Sequence, residues 1–170
     1  LLISPERLRD EGLLSEEDFG DLPQFPTDKV DFEPVIQFKT PLLKKACEKF
    51  KKDTSPKSQQ RFKSFCTSKA YWLEDYAFFM ALRDAHEGES WHKWEPELAE
   101  RDPATLDKFR RQLADEIIYH KYLQFEFFRQ WSDLKRFAND RNIQIIGDIP
   151  IYVAHDSADV WGHPEYFCLD

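Results

Sequence analysis

The spacing of apolar residues predicts that most of the chain is helical. Apolar side chains recur on one stripe between 41 and 52, which predicts an amphipathic helix. Residues 56–86 predict a second helix, with a candidate break at Thr67 and Ser68, and its segment YWLEDYAFFMAL is apolar nearly all round, which is typical of a buried helix. From Pro103 to about Ala138 the apolar steps of three and four residues predict one long helix.

Pairs of a capping residue and a proline mark the predicted helix starts. Proline is tolerated at the first helical position because the amide there has no partner within the helix. The pairs are Ser4-Pro5, Thr40-Pro41, Ser55-Pro56 and Asp102-Pro103. Prolines between about 15 and 35 predict an irregular connection with short helical turns, and Asn139 and Asn142 predict the end of the long helix.

The pattern changes at residues 143–146, IQII, which form a short apolar run. Such a run is typical of a parallel strand that is covered on both faces. It is the one strong strand signal in the sequence, and a lone strand would leave its amides unpaired. We therefore expect an α/β fold class, mostly helical in this chain, with the rest of the sheet outside it.

Composition and charge narrow the classes of function. The 170 residues are 41% hydrophobic, enough for a sizeable core, and the net charge of −8 disfavours nucleic acid and anionic membrane surfaces as partners. No segment approaches the roughly 20 apolar residues that span a bilayer. The three cysteines have irregular spacing and predict neither a zinc site nor a disulfide framework, as in a reducing compartment. The start LLISPERL lacks a methionine and a signal-peptide pattern, so we expect it to lie inside a longer protein.

Asp148 is the strongest candidate for chemistry. It follows Gly147 at the carboxyl end of the predicted strand and precedes Pro150, which stops regular pairing. Ligands of parallel α/β proteins bind beyond the carboxyl ends of the strands, so the carboxylate would project into the mouth of a site. In the alternative interpretation, which the pattern alone favours, Asp148 caps a turn or pairs with an arginine.

Further polar residues follow in AHDSADVW. His155, Asp156 and Asp159 lack the spacing of a metal site, and we predict no metal. The pattern favours a solvated loop in which Asp156 or Ser157 opens a helical turn. The other histidines and the tryptophans are interpreted as structural residues, and no nucleotide-binding or GxSxG motif is present.

The stretch GDIPIYVAHDSADVW, residues 147–161, resembles the first conserved region of the 4-alpha-glucanotransferases, glycoside hydrolase family 77 of the α-amylase superfamily. Four other segments are similar to the same family, in the same order along the chain. They are LLISPERL, WLEDYAFFMAL, FFRQWSDLKRFA and HPEYFCLD. The resemblance therefore covers nearly the whole chain.

The resemblance implies that the chain is a central part of a (β/α)8 TIM barrel with a large helical insertion. Residues 1–102 are then the insertion, and residues 103–170 are the long barrel helix, the third strand and the following loop. Asp148 matches the aspartate of the first conserved region, with an implied supporting role at the subsite for the cleaved glucose. Asp156 and Ser157 are candidate substrate-binding residues, and His155 is assigned no role.

The implied reaction transfers a segment of an α-1,4-glucan to the 4-hydroxyl of glucose or of another glucan by a retaining double displacement. It needs no cofactor, and α-1,4-glucans and glucose are the expected partners, in the cytoplasm or in a plastid. The family's nucleophile and acid/base match nothing in this sequence, so we expect the isolated chain to be inactive. The alternatives are a non-catalytic helical interaction module and an α-glucan hydrolase of the same superfamily.

Overall fold

The fold is helical throughout the part of the chain that the structure describes. It is a computed structural model and describes residues 1–53 and 55–169, in which there are seven α-helices, three short 3-10 turns and no β-strand. The helices are α1 (Pro5–Asp10), α2 (Phe32–Lys52), α3 (Pro56–Ala85), α4 (Pro96–Ala99), α5 (Pro103–Gln112), α6 (Ala114–Asn139) and α7 (Ala158–Gly162). Within these ranges no helix combines the length and the apolar character needed to cross a bilayer.

Three of the four predicted helix starts are confirmed. Helix α1 begins at Pro5, where the Ser4 hydroxyl accepts a hydrogen bond from the Arg7 amide at 3.3 Å. Helix α5 begins at Pro103, where the Asp102 carboxylate accepts one from the Thr105 amide at 2.8 Å, and α3 begins at Pro56. These side chains satisfy amides of the first turn that have no helical acceptor.

The predicted start at Pro41 is wrong, because α2 begins at Phe32 and runs through this proline. Pro34 lies in the first turn, where a missing amide costs nothing. Pro41 removes one hydrogen bond from the helix interior, and burial of the apolar stripe around it offsets that loss. The buried residues of the stripe are Leu42, Leu43, Ala46, Cys47 and Phe50.

The other two differences concern the long helices. The candidate break in α3 is wrong: the Ser68 hydroxyl donates to the Phe65 carbonyl at 3.0 Å, so it is satisfied without opening the helix. The single helix predicted after Pro103 is divided at Leu113, which has φ −104° and ψ 24°. This bend lets apolar residues on both sides of it pack against one buried cluster. The predicted end is confirmed, since α6 ends at Asn139 and Asn142 has φ +57°.

The predicted strand at 143–146 is wrong for this chain, since the described residues contain no strand. A strand needs a neighbour to pair its amides, and this segment has none in the described ranges. Its side chains are exposed: Ile146 has 91% and Ile151 has 89% of its surface accessible. The TIM barrel is therefore not seen in the described residues and stays a prediction, whereas the mostly helical character of the chain is confirmed.

Contacts divide the chain into two units. The first contains residues 1–63 and 122–137, and the second contains residues 64–121 and 138–170. The predicted boundary between 102 and 103 concerns the larger barrel and stays a prediction. In the first unit, Phe50 of α2 packs on Tyr122 of α6 with ring centroids 5.1 Å apart, and Gln130 of α6 accepts the Ser4 amide at 2.8 Å.

The first unit also contains a buried charged pair. Glu126 has 2% of its surface accessible, and its carboxylate accepts a hydrogen bond from the Arg129 Nε at 3.1 Å. Burial raises the pKa of Glu126, although the Arg129 guanidinium draws it the other way. Burial likewise lowers the pKa of Arg129, but its hydrogen bonds to Glu11 and Glu126 more than offset this, so that its pKa is raised.

We expect the buried carboxyl of Glu126 to give the protein a pH-dependent stability. Between its ordinary pKa of 4.5 and its raised value, the folded state binds more protons than the unfolded state, so the free energy of unfolding falls as pH rises. Glu126→Gln should flatten this slope, measured as the urea midpoint from about pH 4 to pH 7. Glu116→Gln, on the same helix but exposed, is the control. Equal slopes in wild type and Glu126→Gln would contradict the assignment.

The core of the second unit is a cluster of large buried side chains. Its members are Phe78, Phe79, Leu82, Trp94, Leu98 and Trp161. Trp161 of α7 lies at 5.8–5.9 Å from three of the other rings, and its Nε1 donates to the Leu98 carbonyl at 3.2 Å. The cluster fixes α7 against α3 within this unit, and thereby fixes the end of the segment 147–161.

Candidate functional site

Asp148 lies in the exposed segment 143–153 of the second unit. Its Oδ1 accepts a hydrogen bond from the amide of Ile149 at 2.8 Å. Among the described residues none forms an ion pair with Asp148, so the arginine pair considered from the sequence is not seen. The carboxylate is thus exposed rather than buried in a helical core, and its predicted catalytic role stays a prediction.

Asp156 connects the motif GDIPIYVAHDSADVW, residues 147–161, to two other parts of the second unit. Its Oδ1 accepts a hydrogen bond from the backbone amide of Trp91 at 3.3 Å, and its Oδ2 lies 3.3 Å from Nη2 of Arg83 on α3. The carboxylate therefore holds its own segment in place by one neutral and one charged contact. The structure gives Asp156 this structural role, and its predicted contact with sugar stays a prediction.

Trp91 adds a second connection to the same segment. Its indole Nε1 donates to the His155 carbonyl at 2.8 Å, and its ring stacks on the His155 ring at 5.3 Å between centroids and 24° between planes. The His92 ring lies 5.6 Å from that of His155. Sequence reasoning missed this anchor, because the loop SWHKW carries no signal that points to residues 64 positions away.

Ser157 is the N-cap of α7. Its hydroxyl accepts a hydrogen bond from the Val160 amide at 3.3 Å, which confirms the predicted helical turn. The turn directs Val160 and Trp161 into the core, where both are buried. Asp148 is therefore followed by a segment that is fixed at Asp156, Ser157 and α7. Such an arrangement can hold the Asp148 carboxylate at a defined distance from a ligand when other parts of the protein support the residues before Asp148.

We expect loss of the Asp156 carboxylate to loosen the motif. Asp156→Ala removes both the Arg83 and the Trp91 contacts, so amides across 155–163 should exchange with deuterium about five- to tenfold faster. Asp156→Asn keeps an acceptor for the Trp91 amide and should give a smaller increase. Hydrogen exchange read by mass spectrometry measures both variants. If Asp156→Ala exchanges like the wild type, the structural role is wrong.

Comparison with known proteins confirms, along the whole chain, the family that the sequence resembles. The sequence profile described as glycoside hydrolase 77, 4-alpha-glucanotransferase, matches residues 1–170. The 4-alpha-glucanotransferase of Synechocystis sp. is 46% identical over 169 residues, which are 99% of this chain and 34% of that protein. The 4-alpha-glucanotransferase of Thermus thermophilus is 44% identical over 99% of this chain and 33% of its own length.

A solved structure agrees with these relatives. The amylomaltase from Streptococcus agalactiae in complex with acarbose superposes with a TM-score of 0.91 and 35% sequence identity, over 99% of this chain and 34% of that one. The chain thus spans about a third of the length of the proteins that it matches. Because the profile covers all of its residues, the chain belongs to the 4-alpha-glucanotransferase family, glycoside hydrolase family 77.

Proposed function

We propose that the protein containing this chain is a 4-alpha-glucanotransferase, which moves segments of an α-1,4-glucan to the 4-hydroxyl of glucose or of another glucan. The observation that carries the proposal is the match to the family over residues 1–170. The neighbouring amylomaltase structure, which contains acarbose, a maltooligosaccharide analogue, supports glucans as the substrate class. No organic cofactor or metal is needed for the proposed chemistry.

The proposed place of this chain is one sector of a (β/α)8 barrel. The run of exposed isoleucines from Ile145 to Ile151 suits a strand and loop that other barrel elements cover. In that setting Asp148 would stand at the carboxyl end of the third strand, where barrel enzymes bind substrate. Its exposed carboxylate can then accept hydrogen bonds from sugar hydroxyls, and its negative charge would favour the oxocarbenium-like transition state.

The proposed reaction is a double displacement with two further carboxylates, whose family motifs match nothing in this sequence. One carboxylate attacks the anomeric carbon and another carboxylic acid protonates the departing oxygen, after which an acceptor hydroxyl displaces the enzyme. Asp148 would support the sugar at the cleavage point through both steps. Asp156 and Ser157 would contribute by contacting substrate from the segment that they hold in place.

Product analysis with maltotriose tests the proposal. The full-length protein should convert maltotriose into glucose and longer glucans without a net gain of reducing ends, because each broken bond is replaced by a new one. A net gain of reducing ends would instead identify a hydrolase. No conversion would favour the alternative of a non-catalytic helical interaction module. The isolated 170-residue chain should be inactive, since no residue in it matches the family's nucleophile or acid/base.

A further inference from the structure

The second unit contains a cleft that is separate from the Asp148 segment. It lies between α3 and α7 and has a volume of about 300 Å³, at the lower end of the roughly 300–1,000 Å³ of small-molecule sites. Side chains from both helices line it. Those that matter to a ligand are Tyr71, Trp72, Asp75, Tyr76, Asp159 and His163.

The α3 side of the cleft is aromatic. Trp72 and Tyr76 are four residues apart and so share one side of the helix, and Tyr71, the residue before Trp72, lines the edge of the same cleft. The rings of Trp72 and Tyr76 lie 5.9 Å apart at 63°, and Tyr71 has 77% of its surface accessible. A flat ring with an exposed face suits the apolar C–H face of a pyranose.

Two carboxylates, Asp75 and Asp159, supply hydrogen-bond acceptors to the cleft. Asp75 is fixed by Arg101, whose Nη2 lies 3.2 Å from its Oδ1, and by Arg110 at 4.0 Å from the same oxygen. Asp159, on the α7 side, is exposed. The two carboxylates give the cleft acceptors for sugar hydroxyls. The described lining contains no lysine or arginine to bind phosphates or other anions, so its chemistry suits a neutral polyhydroxylated ligand.

We propose that this cleft is an accessory binding site for α-1,4-glucan chains. In this site Tyr71 and Trp72 stack on glucose units and Asp75 and Asp159 accept their hydroxyls. The inference rests on the proposed function, which supplies glucan as the ligand. Asp159 lies two residues beyond Ser157, the N-cap of α7, so the motif that carries Asp148 also forms one side of the cleft. A long glucan held here would be retained by the protein between transfer events.

Affinity electrophoresis of the full-length protein tests the site. The protein migrates through native gels with and without amylopectin, and its retardation gives a dissociation constant. Tyr71→Ala should raise that constant about tenfold, because the exposed ring is lost. Tyr71→Phe is the matched control and should retain nearly wild-type retardation, because stacking needs the ring and not the hydroxyl. Asp159→Asn changes a second exposed residue of the cleft and should raise the dissociation constant about threefold or more.

The outcomes separate this site from the proposed function. If wild type converts maltotriose but Tyr71→Ala and Asp159→Asn are retarded like the wild type, the accessory site is wrong and the glucanotransferase proposal stands. If wild type does not convert maltotriose, the proposed function fails, whatever the gels show. Weaker retardation of Tyr71→Ala with an unchanged melting temperature, and its rescue in Tyr71→Phe, would support the site.

Discussion

Asp148→Asn in the full-length protein is expected to lower the rate of glucan transfer about a hundredfold or more and to leave thermal stability nearly unchanged. The charge is lost, whereas the remaining amide oxygen still accepts the Ile149 backbone hydrogen bond. Because Asp148 is exposed and forms no ion pair with a described residue, its charge contributes little to folding. Glucose release from maltotriose and the melting temperature measure the two effects.

The control for this variant is Asp140→Asn, an exposed aspartate in the turn after α6. It changes the net charge by the same amount and should transfer glucan like the wild type. An unchanged rate in Asp148→Asn would show that the carboxylate takes no part in the reaction. A loss of rate accompanied by a large fall in melting temperature would show a structural role instead.

Trp161→Ala is expected to lower the free energy of unfolding by about 3–5 kcal/mol. Trp161 has 1% of its surface accessible, and its removal would leave a cavity among the rings of Phe78, Phe79 and Trp94. The Leu98 carbonyl would lose the indole donor as well. The same change would release α7 from the core. Urea denaturation followed by circular dichroism measures the difference in the free energy of unfolding between the wild type and Trp161→Ala.

Two further variants serve as controls for Trp161→Ala. Trp161→Phe keeps most of the apolar contact and removes the donor to the Leu98 carbonyl. Its free energy of unfolding should therefore lie between those of the wild type and Trp161→Ala. Tyr166→Ala removes an exposed ring from the next turn and should change stability by less than about 0.5 kcal/mol. A Trp161→Ala protein as stable as Tyr166→Ala would mean that the cluster is not the core of this unit.

Much of the helical structure could be predicted, because local chemistry determines it. A capping side chain followed by proline locates the starts of α1, α3 and α5. The same signal failed at Thr40-Pro41, where burial of the neighbouring stripe outweighs one missing hydrogen bond. The bend at Leu113 was also missed, since the periodicity of apolar residues is nearly the same in a straight helix and in two helices that share one core.

The predicted strand at 143–146 shows where sequence reasoning failed, because no strand forms in the described residues. The run IQII has the composition of a strand, but hydrogen bonds to neighbouring strands make a strand, and composition does not supply them. The structure agrees with the sequence that Asp148 is exposed, whereas its predicted place at the end of a strand stays a prediction. The Trp91 and Arg83 contacts to the motif lie far away in sequence and have no local pattern, so only the structure shows them.

The uncovered isoleucines of residues 145–151 have a practical consequence for work with the isolated polypeptide. Exposed apolar side chains on a segment that is not paired in a sheet are typical sites of intermolecular β-pairing and aggregation. The purified 170-residue chain should accordingly self-associate as its concentration rises, detectable by light scattering. Replacing Ile146 and Ile151, the two most accessible isoleucines, with lysine should improve its solubility.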